Sequence, residues 1–429
     1  MTLPPECINL ILIHLKVDVK TLHSCLLVNR LWCSETVRIL WHQPFRHLYT
    51  SDCQVEKRIL RAENLILTYL SCILYQYNEE LVKNSAIPKP VKKPLFNYIQ
   101  FLKNLDLLDF FAVIQDCTEP RHTLTLEVYR PAISYILLDN LLSKPVGTLV
   151  NGHIYTDLLN IMSKLITDYS TGLYRLLLDV EGGEGKKDVF RKIWTIGSSE
   201  YQYLMKIINS KGHLSQLTEL IMPTRVFNKT EILLALIPVS RNLKKIVVRV
   251  DYEINVGCFR NRERDRYIAE QEAKALVDLI TAQESLEHLG LHSCVEGLNY
   301  LLTSIKSQAN TLKYLSFVKV HFYGFETFKH IAPLRNLEQI QFNHCTFGLK
   351  DASSPYRFEN NFPKLVKLEI QGSTNADYAV EILRSAACGS LNVECEPRNS
   401  IFDLEYWFFI YEQKLVYVSE VMKLPIFEI

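Results

Sequence analysis

The chain has 429 residues, with 48 basic and 47 acidic side chains, a net charge of +1 and 48% hydrophobic residues. A balance so close to neutral supplies no field to steer the chain to nucleic acid or an anionic membrane. The length exceeds one ordinary domain, so it implies several units or one repeat array.

A first helix is expected from Pro4 to Leu15. Pro4 and Pro5 suit a first helical turn, where a missing N–H costs nothing, and Glu6 sits where the helix dipole favours an acid. Ile8, Ile11, Leu12 and Leu15 form one stripe, while Cys7, Leu10 and Ile13 lie off it, so the helix is apolar nearly all round and has to be covered on more than one side. Asp18 reads as the N-cap of a second helix from Val19 to Trp32, and Ser34 as the cap of a third that runs to Trp41. Three helices this short are marginal alone, so their surplus apolar surface must meet the rest of the chain or a partner.

The wording of this stretch narrows the choice. Leu3-Pro4-Pro5-Glu6, the spaced aliphatics Ile8, Ile11, Leu12 and Leu15, the run from Leu22 through Leu26, Leu27 and Val28 to Trp32, and the closing Leu40-Trp41 together resemble an F-box. Asn29 stands where a Cys is more usual, and the motif begins at residue 3. The resemblance implies a three-helix module that docks on the Skp adaptor of an SCF ubiquitin ligase. It implies Leu3, Pro4, Ile8, Ile11, Leu12, Val28 and Trp32 as the adaptor-facing residues.

Val55 to Asn84 reads as one or two helices, and three prolines between Ile87 and Pro94 mark a basic loop. From Leu95 to about Ser170 the pattern is helical again. Phe101, Leu102, Leu105, Leu108 and Phe111 make one face, and Ile133, Ile136, Leu137 and Leu141 another. Pro94-Leu95-Phe96-Asn97-Tyr98 resembles a segment of the expanded fungal F-box families.

A repeat then takes over. The template L-x-x-L-x-L fits Leu173/Leu176/Leu178, Leu217/Leu220/Met222, Leu243/Ile246/Val248, Leu286/Leu289/Leu291, Leu312/Leu315/Phe317, Leu337/Ile340/Phe342 and Leu365/Leu368/Ile370. Most neighbouring copies start 25 to 28 residues apart, and two start 43 and 44 apart, which calls for an insertion or a degenerate copy between them. The shorter period lies within the roughly 20–29 residues of leucine-rich repeats. Cys294 and Cys345 fall where that repeat carries Asn or Cys, and Phe322 and Phe347 at its next apolar position. Alternation along each strand sends the intervening positions to the open, concave face. Those are Lys245, Arg249, His288, His292, Tyr314, Gln339, Gln341, Asn343, Lys367, Glu369 and Gln371, a polar and aromatic set suited to binding a substrate protein. The bland alternative is a merely solvated face. The aromatic C-terminus, from Phe402 to Tyr417, reads as a cap on the last repeat.

Little in the sequence suggests chemistry. His288 and His292 are about 13 Å apart along one strand, too far to share a metal ion, and read as exposed. Gly182 to Lys187 fails the phosphate-loop spacing, and no hydrolase, dinucleotide or zinc-protease motif appears. The alternating charges from Arg260 to Arg266 read as the start of a helix. Eleven cysteines without C-x-x-C or Cys/His spacing fit reduced thiols in a cytoplasmic or nuclear protein. Glu6 and the lack of a basic leader argue against a signal peptide, and the uncharged run from Asn64 to Asn78 is too short to span a membrane.

The fold expected is α plus α/β. An F-box over 1–45 and a helical linker region over 46–170 precede a leucine-rich-repeat α/β solenoid, or horseshoe, over 171–400, with a cap over 401–429. The expected function is that of a non-catalytic substrate receptor in an SCF-type ligase. Its partners would be the Skp adaptor, through it a cullin, and an unknown protein substrate, with no nucleic acid, membrane, metal or cofactor. The alternatives are a repeat scaffold outside ubiquitination, or an enzyme whose site on the open face goes unrecognised, for which Glu369 has no visible acid/base partner in the sequence.

Overall fold

A computed structural model of the chain describes residues 3–16, 18–45, 48, 55–75, 93–118, 154–178, 198–210, 212–222, 228–250, 262–293, 298–322, 326–348, 362–387 and 391–396. These fall into two compact units. The first runs to Leu173 and takes up 198–213 again, and the second holds Tyr174–Leu178 and the described residues from Leu214 onward. Among the described residues the fold is mixed helix and parallel sheet, with no closed barrel. None of their helices is long and apolar enough to cross a membrane.

In the first unit, α1 (Pro5–His14), α2 (Val19–Leu26) and α3 (Arg30–Leu40) pack around Ile8, Leu12, Leu22 and Cys25, with Leu15, Leu31, Trp32, Ile39 and Leu40 closing the sides. Asp18 caps α2 as expected. Its carboxylate accepts hydrogen bonds from the Thr21 N–H (3.0 Å) and hydroxyl (2.6 Å), which hold its pKa below the usual carboxylate range. The second and third helices differ from expectation. The chain leaves the helix after Leu26, and Asn29, not Ser34, starts the next one by accepting from the N–H groups of Leu31 and Trp32. Ser34 sits inside that helix and donates to the Leu31 carbonyl.

Helix α4 (Val55–Leu74) follows, and residues 76–92, with most of the proline-rich loop, lie outside the described residues. The continuous helical face expected through Phe101, Leu105 and Phe111 is broken. A 3-10 turn (Tyr98–Phe101) leads into strand β1 (Asn104–Asp106), whose last residue caps α5 (Leu107–Asp116) by accepting from the N–H groups of Leu108 and Asp109. An Asp followed by an apolar run is a helix start, and here that local preference overrides the helical period. The stretch from Ile133 to Leu141 lies outside the described residues. Helices α6 (Ile154–Tyr169) and α7 (Ser198–Ile208) complete this unit. Its aromatic core joins Trp41, Tyr69, Tyr98, Phe45 and Phe110, with the Trp41 and Tyr98 rings 4.3 Å apart.

In the second unit each template match is a strand: β2 (Arg175–Leu177), β3 (Glu219–Met222), β4 (Lys245–Arg249), β5 (His288–His292), β6 (Tyr314–Val318), β8 (Gln339–Asn343) and β10 (Lys367–Gln371), while β7 (His321–Phe322) and β9 (Thr346–Phe347) form a separate short pair. All pairs are parallel and follow chain order, ending on β11 (Asn392–Glu396). The consensus residues line up: Leu176, Leu220, Ile246, Leu289, Leu315, Ile340 and Leu368 stand side by side and are buried. Burying each contributes about 1.5–3 kcal/mol. Since β2 pairs directly with β3, and β4 with β5, the two long gaps are insertions and not degenerate copies. Helices α8 (Lys229–Leu236), α9 (Arg262–Thr281), α10 (Leu298–Ser304), α11 (Glu326–Ile331) and α12 (Asp377–Ala386) return the chain between strands. Strand β11 escaped the template because Ser390 and Cys395 stand where its first and third apolar residues belong.

Hydrogen bonds repeat with the strands. The Lys244, Glu287, Lys313 and Glu338 carbonyls each accept from two successive N–H groups opening the next strand. At the strand ends Ser293, Lys319, His344 and Gly372 occupy one recurring left-handed position, φ 49 to 55°. Non-glycine residues pay for that conformation, so Lys319→Gly is expected to raise stability by about 1 kcal/mol. The converse, Gly372→Ala, would bring a Cβ to 2.5 Å from His344 Nδ1 and should lose a similar amount, both read by urea unfolding. Two buried amides tie strands to helix ends. Gln283 accepts from the Leu243 N–H (2.9 Å) and donates to the Ser240 and Leu279 carbonyls, and Gln308 donates to the Ile280 and Gln283 carbonyls.

Cys345 sits under β8, its thiol donating to the Phe317 carbonyl (3.4 Å), and burial pushes its pKa up to about 12. Beside it Phe317 stacks on Phe342 and Phe322 on Phe347 and Phe328, and the two stacks meet edge-on, with centroids 5.0 to 5.6 Å apart for the tightest pairs. Cys294 and the aromatic C-terminus lie outside the described residues, as do Gly182–Lys187.

Candidate protein-docking surfaces

The first surface lies on the three N-terminal helices. Ile8 (1% exposed) and Leu12 (0%) form their core and do not face a partner, and Trp32 is half-buried against the same cluster. The reason is geometric. The stripe of an all-apolar helix that meets two sister helices is consumed by them. Leu3, Pro4, Ile11 and Val28 do face outward. With them stand Leu10, Ile13 and Leu27, the last 88% exposed. The sequence held a signal for two of these, since Leu10 and Ile13 lie off the stripe; Leu27 is exposed because the helix ends at Leu26, which periodicity does not show. Single exposed aliphatics are ordinary, but six on one short helical module leave an apolar surface with no cover from the described residues.

The second surface is the sheet face carrying the positions between the consensus leucines. One row crosses the strands near their starts: Arg175, Glu219, Lys245, His288, Tyr314, Gln339, Lys367 and Asn392. Arg175 pairs with Glu219 (3.5 Å), the His288 ring stacks on Tyr314 (6.0 Å), and Glu369 accepts from the Gln339 amide (2.9 Å). Lys367 bonds both Glu369 and Glu394 (3.1 Å), and those bonds raise its pKa. Burial lowers that of Lys245, opposed by Glu219 and assisted by Arg175.

The face is less open than alternation implies. Its middle row is Ile221, Val247, Gly290 and Ser316 over β3 to β6, all buried, and only from Gln341 through Glu369 to Glu394 does it become polar and accessible. Gly290 is needed there, since a Cβ would meet Ser316 Oγ at 2.9 Å and Val247 at 3.1 Å. The histidines are likewise not exposed. His292 and Asn343 are buried, and His288 is half-buried, with a pKa of about 3 set by burial and then by Lys245. His288 is therefore a neutral imidazole on this face. Arg249 and Gln371 stay half-buried at the far ends of their strands.

Among the described residues no group of three or more His, Cys, Asp or Glu is placed to hold a metal ion. The run from Arg262 to Arg266 opens α9. No family model matches the chain, and no curated protein matches it.

Proposed function

We propose that this chain is the substrate-recognition subunit of an SCF-type ubiquitin ligase. In this reading the three N-terminal helices are an F-box that docks the Skp adaptor. The second unit is a leucine-rich-repeat solenoid that holds a protein substrate. The chain does no bond chemistry. It raises the effective concentration of a target lysine near the ubiquitin carried by the cullin-bound partner. It would work in the cytoplasm, the nucleus or both.

One observation carries the first half: Leu10, Ile11, Ile13, Leu27 and Val28 stay in water above a core that the three helices have already closed. The repeat half is supported by the in-register leucines, the recurrent left-handed turn and the two-donor carbonyl at each step. The test is capture of purified Skp adaptor by the full chain. Ile11→Asp with Val28→Asp should cut capture about 30-fold, roughly 2 kcal/mol, while the unfolding midpoint holds, because exposed substitutions cost little stability. Undiminished capture by that variant would overturn the contact surface, and no capture by the parent chain would overturn the reading. Cullin recovered with the adaptor separates a ligase subunit from a scaffold outside ubiquitination.

A further inference from the structure

The step between α2 and α3 is built against the local pattern. No Gly or Pro interrupts Leu26-Leu27-Val28, and the spacing from Val19 to Trp32 favours one regular helix. Such a helix would set Trp32 about 15 Å along the axis from Leu22. In the structure Trp32 and Leu31 instead pack on the core cluster that holds Leu22 and Cys25, so the chain has to break between them. Two short-range bonds close α2: the Leu27 N–H donates to the Ser24 carbonyl (3.1 Å) and the Val28 N–H to the Cys25 carbonyl (3.3 Å). Asn29 then runs fully extended, at φ −167° and ψ 176°. Its Oδ1 accepts from the N–H groups of Leu31 (3.0 Å) and Trp32 (3.1 Å), and its carbonyl accepts from the Cys33 N–H (2.8 Å).

We infer that Asn29 is the positioning residue of the adaptor-docking surface. Its cap holds the Leu27-Val28 step in the conformation that leaves Leu27 88% and Val28 58% exposed. From Leu26 to Arg30 it carries the one side-chain oxygen that can accept from the opening N–H groups of α3. The amide acts through the backbone and does not have to touch the partner. Without it, the local preference of Leu26 to Val28 for continued helix competes with the break that the core requires. The inference rests on the ligase reading, since it takes Leu27 and Val28 as contacts of the Skp adaptor.

The test compares two caps of the same module. Asp18 caps α2 through Thr21 much as Asn29 caps α3, but Val19 beside it is buried and it presents no exposed aliphatic. Variants of the full chain are immobilised, and binding of purified Skp adaptor is followed in real time. Asn29→Ala removes the cap and installs the residue that best continues a helix. Affinity should fall about fivefold, mainly through the association rate, because a smaller fraction of the chain presents the step. Asp18→Ala should lower the unfolding midpoint by as much, yet change affinity by less than about twofold. Asn29→Ser and Asn29→Asp, which cap without the amide, should stay within about twofold of the parent. Equal losses of affinity in Asn29→Ala and Asp18→Ala would make the cap merely structural and overturn the inference. A loss in Asn29→Ser and Asn29→Asp as large as in Asn29→Ala would make the amide a direct contact and overturn it too. Capture by the parent with unchanged affinity in Asn29→Ala sinks this inference and leaves the ligase reading standing. No capture by the parent sinks the reading, and this inference with it.

Discussion

Phe342→Ala is expected to destabilise the second unit by about 4 kcal/mol, the largest loss expected there for a single truncation. Phe342 is fully buried, and its ring lies 5.2 to 5.6 Å from those of Phe317, Phe322 and Phe347. Removing it opens a cavity in a cluster of rings that joins two consecutive repeats, and the flanking rings are fixed by their own strands and cannot collapse into it. Urea unfolding followed by near-ultraviolet circular dichroism reads both the loss of stability and the loss of ring order. A loss below about 1.5 kcal/mol would mean that the ring cluster relaxes freely and does not hold the repeats together.

Lys229→Met is expected to cost about 3–5 kcal/mol, and Lys229→Met with Glu272→Leu markedly less. The Lys229 ammonium, 2% exposed, bonds Glu272 at 3.0 Å and the Arg249 carbonyl at 2.7 Å, tying the start of α8 to α9 and to the end of β4. Taking away the cation leaves a carboxylate in a nearly dry place, whereas taking away both charges restores an apolar contact between the two helices. A double variant no more stable than the single one would show that Glu272 is held by other groups and is not stranded by the loss of Lys229. The pairing joins α9, which lies in the insertion between β4 and β5, to α8 ahead of β4, so it also reports whether α9 is anchored or merely attached.

The leucines show why the repeat is readable from sequence and the face it supports is not. Two signals coincide in the template, alternation within the strand and a fixed return distance, and only a parallel sheet in chain order satisfies both. Strand β11 is lost to the template because Ser390 and Cys395 stand at two of its three positions. Alternation does say which side Val247, Gly290 and Ser316 take, but whether that side is covered depends on distant residues, and no local pattern records it. The same limit applies to the first helix. Periodicity marks Ile8 and Leu12 as members of a stripe, yet whether a stripe meets sister helices or a partner is a tertiary matter, and the structure gives it to the sister helices. The helix start expected at Ser34 is misplaced for a local reason: Asn29 caps as well as a Ser does and stands five residues earlier, where apolar Leu27 and Val28 conceal it.

Each strand of the main sheet in the second unit bonds to the strands of the repeats before and after it, and the stretch from 251 to Thr281 lies between β4 and β5 without disturbing their register. A chain built this way can gain or lose a whole rung during evolution and still zip together, because no distant partner has to be found again. New patterns of side chains on the open face can then arise by shuffling rungs, with the three N-terminal helices untouched.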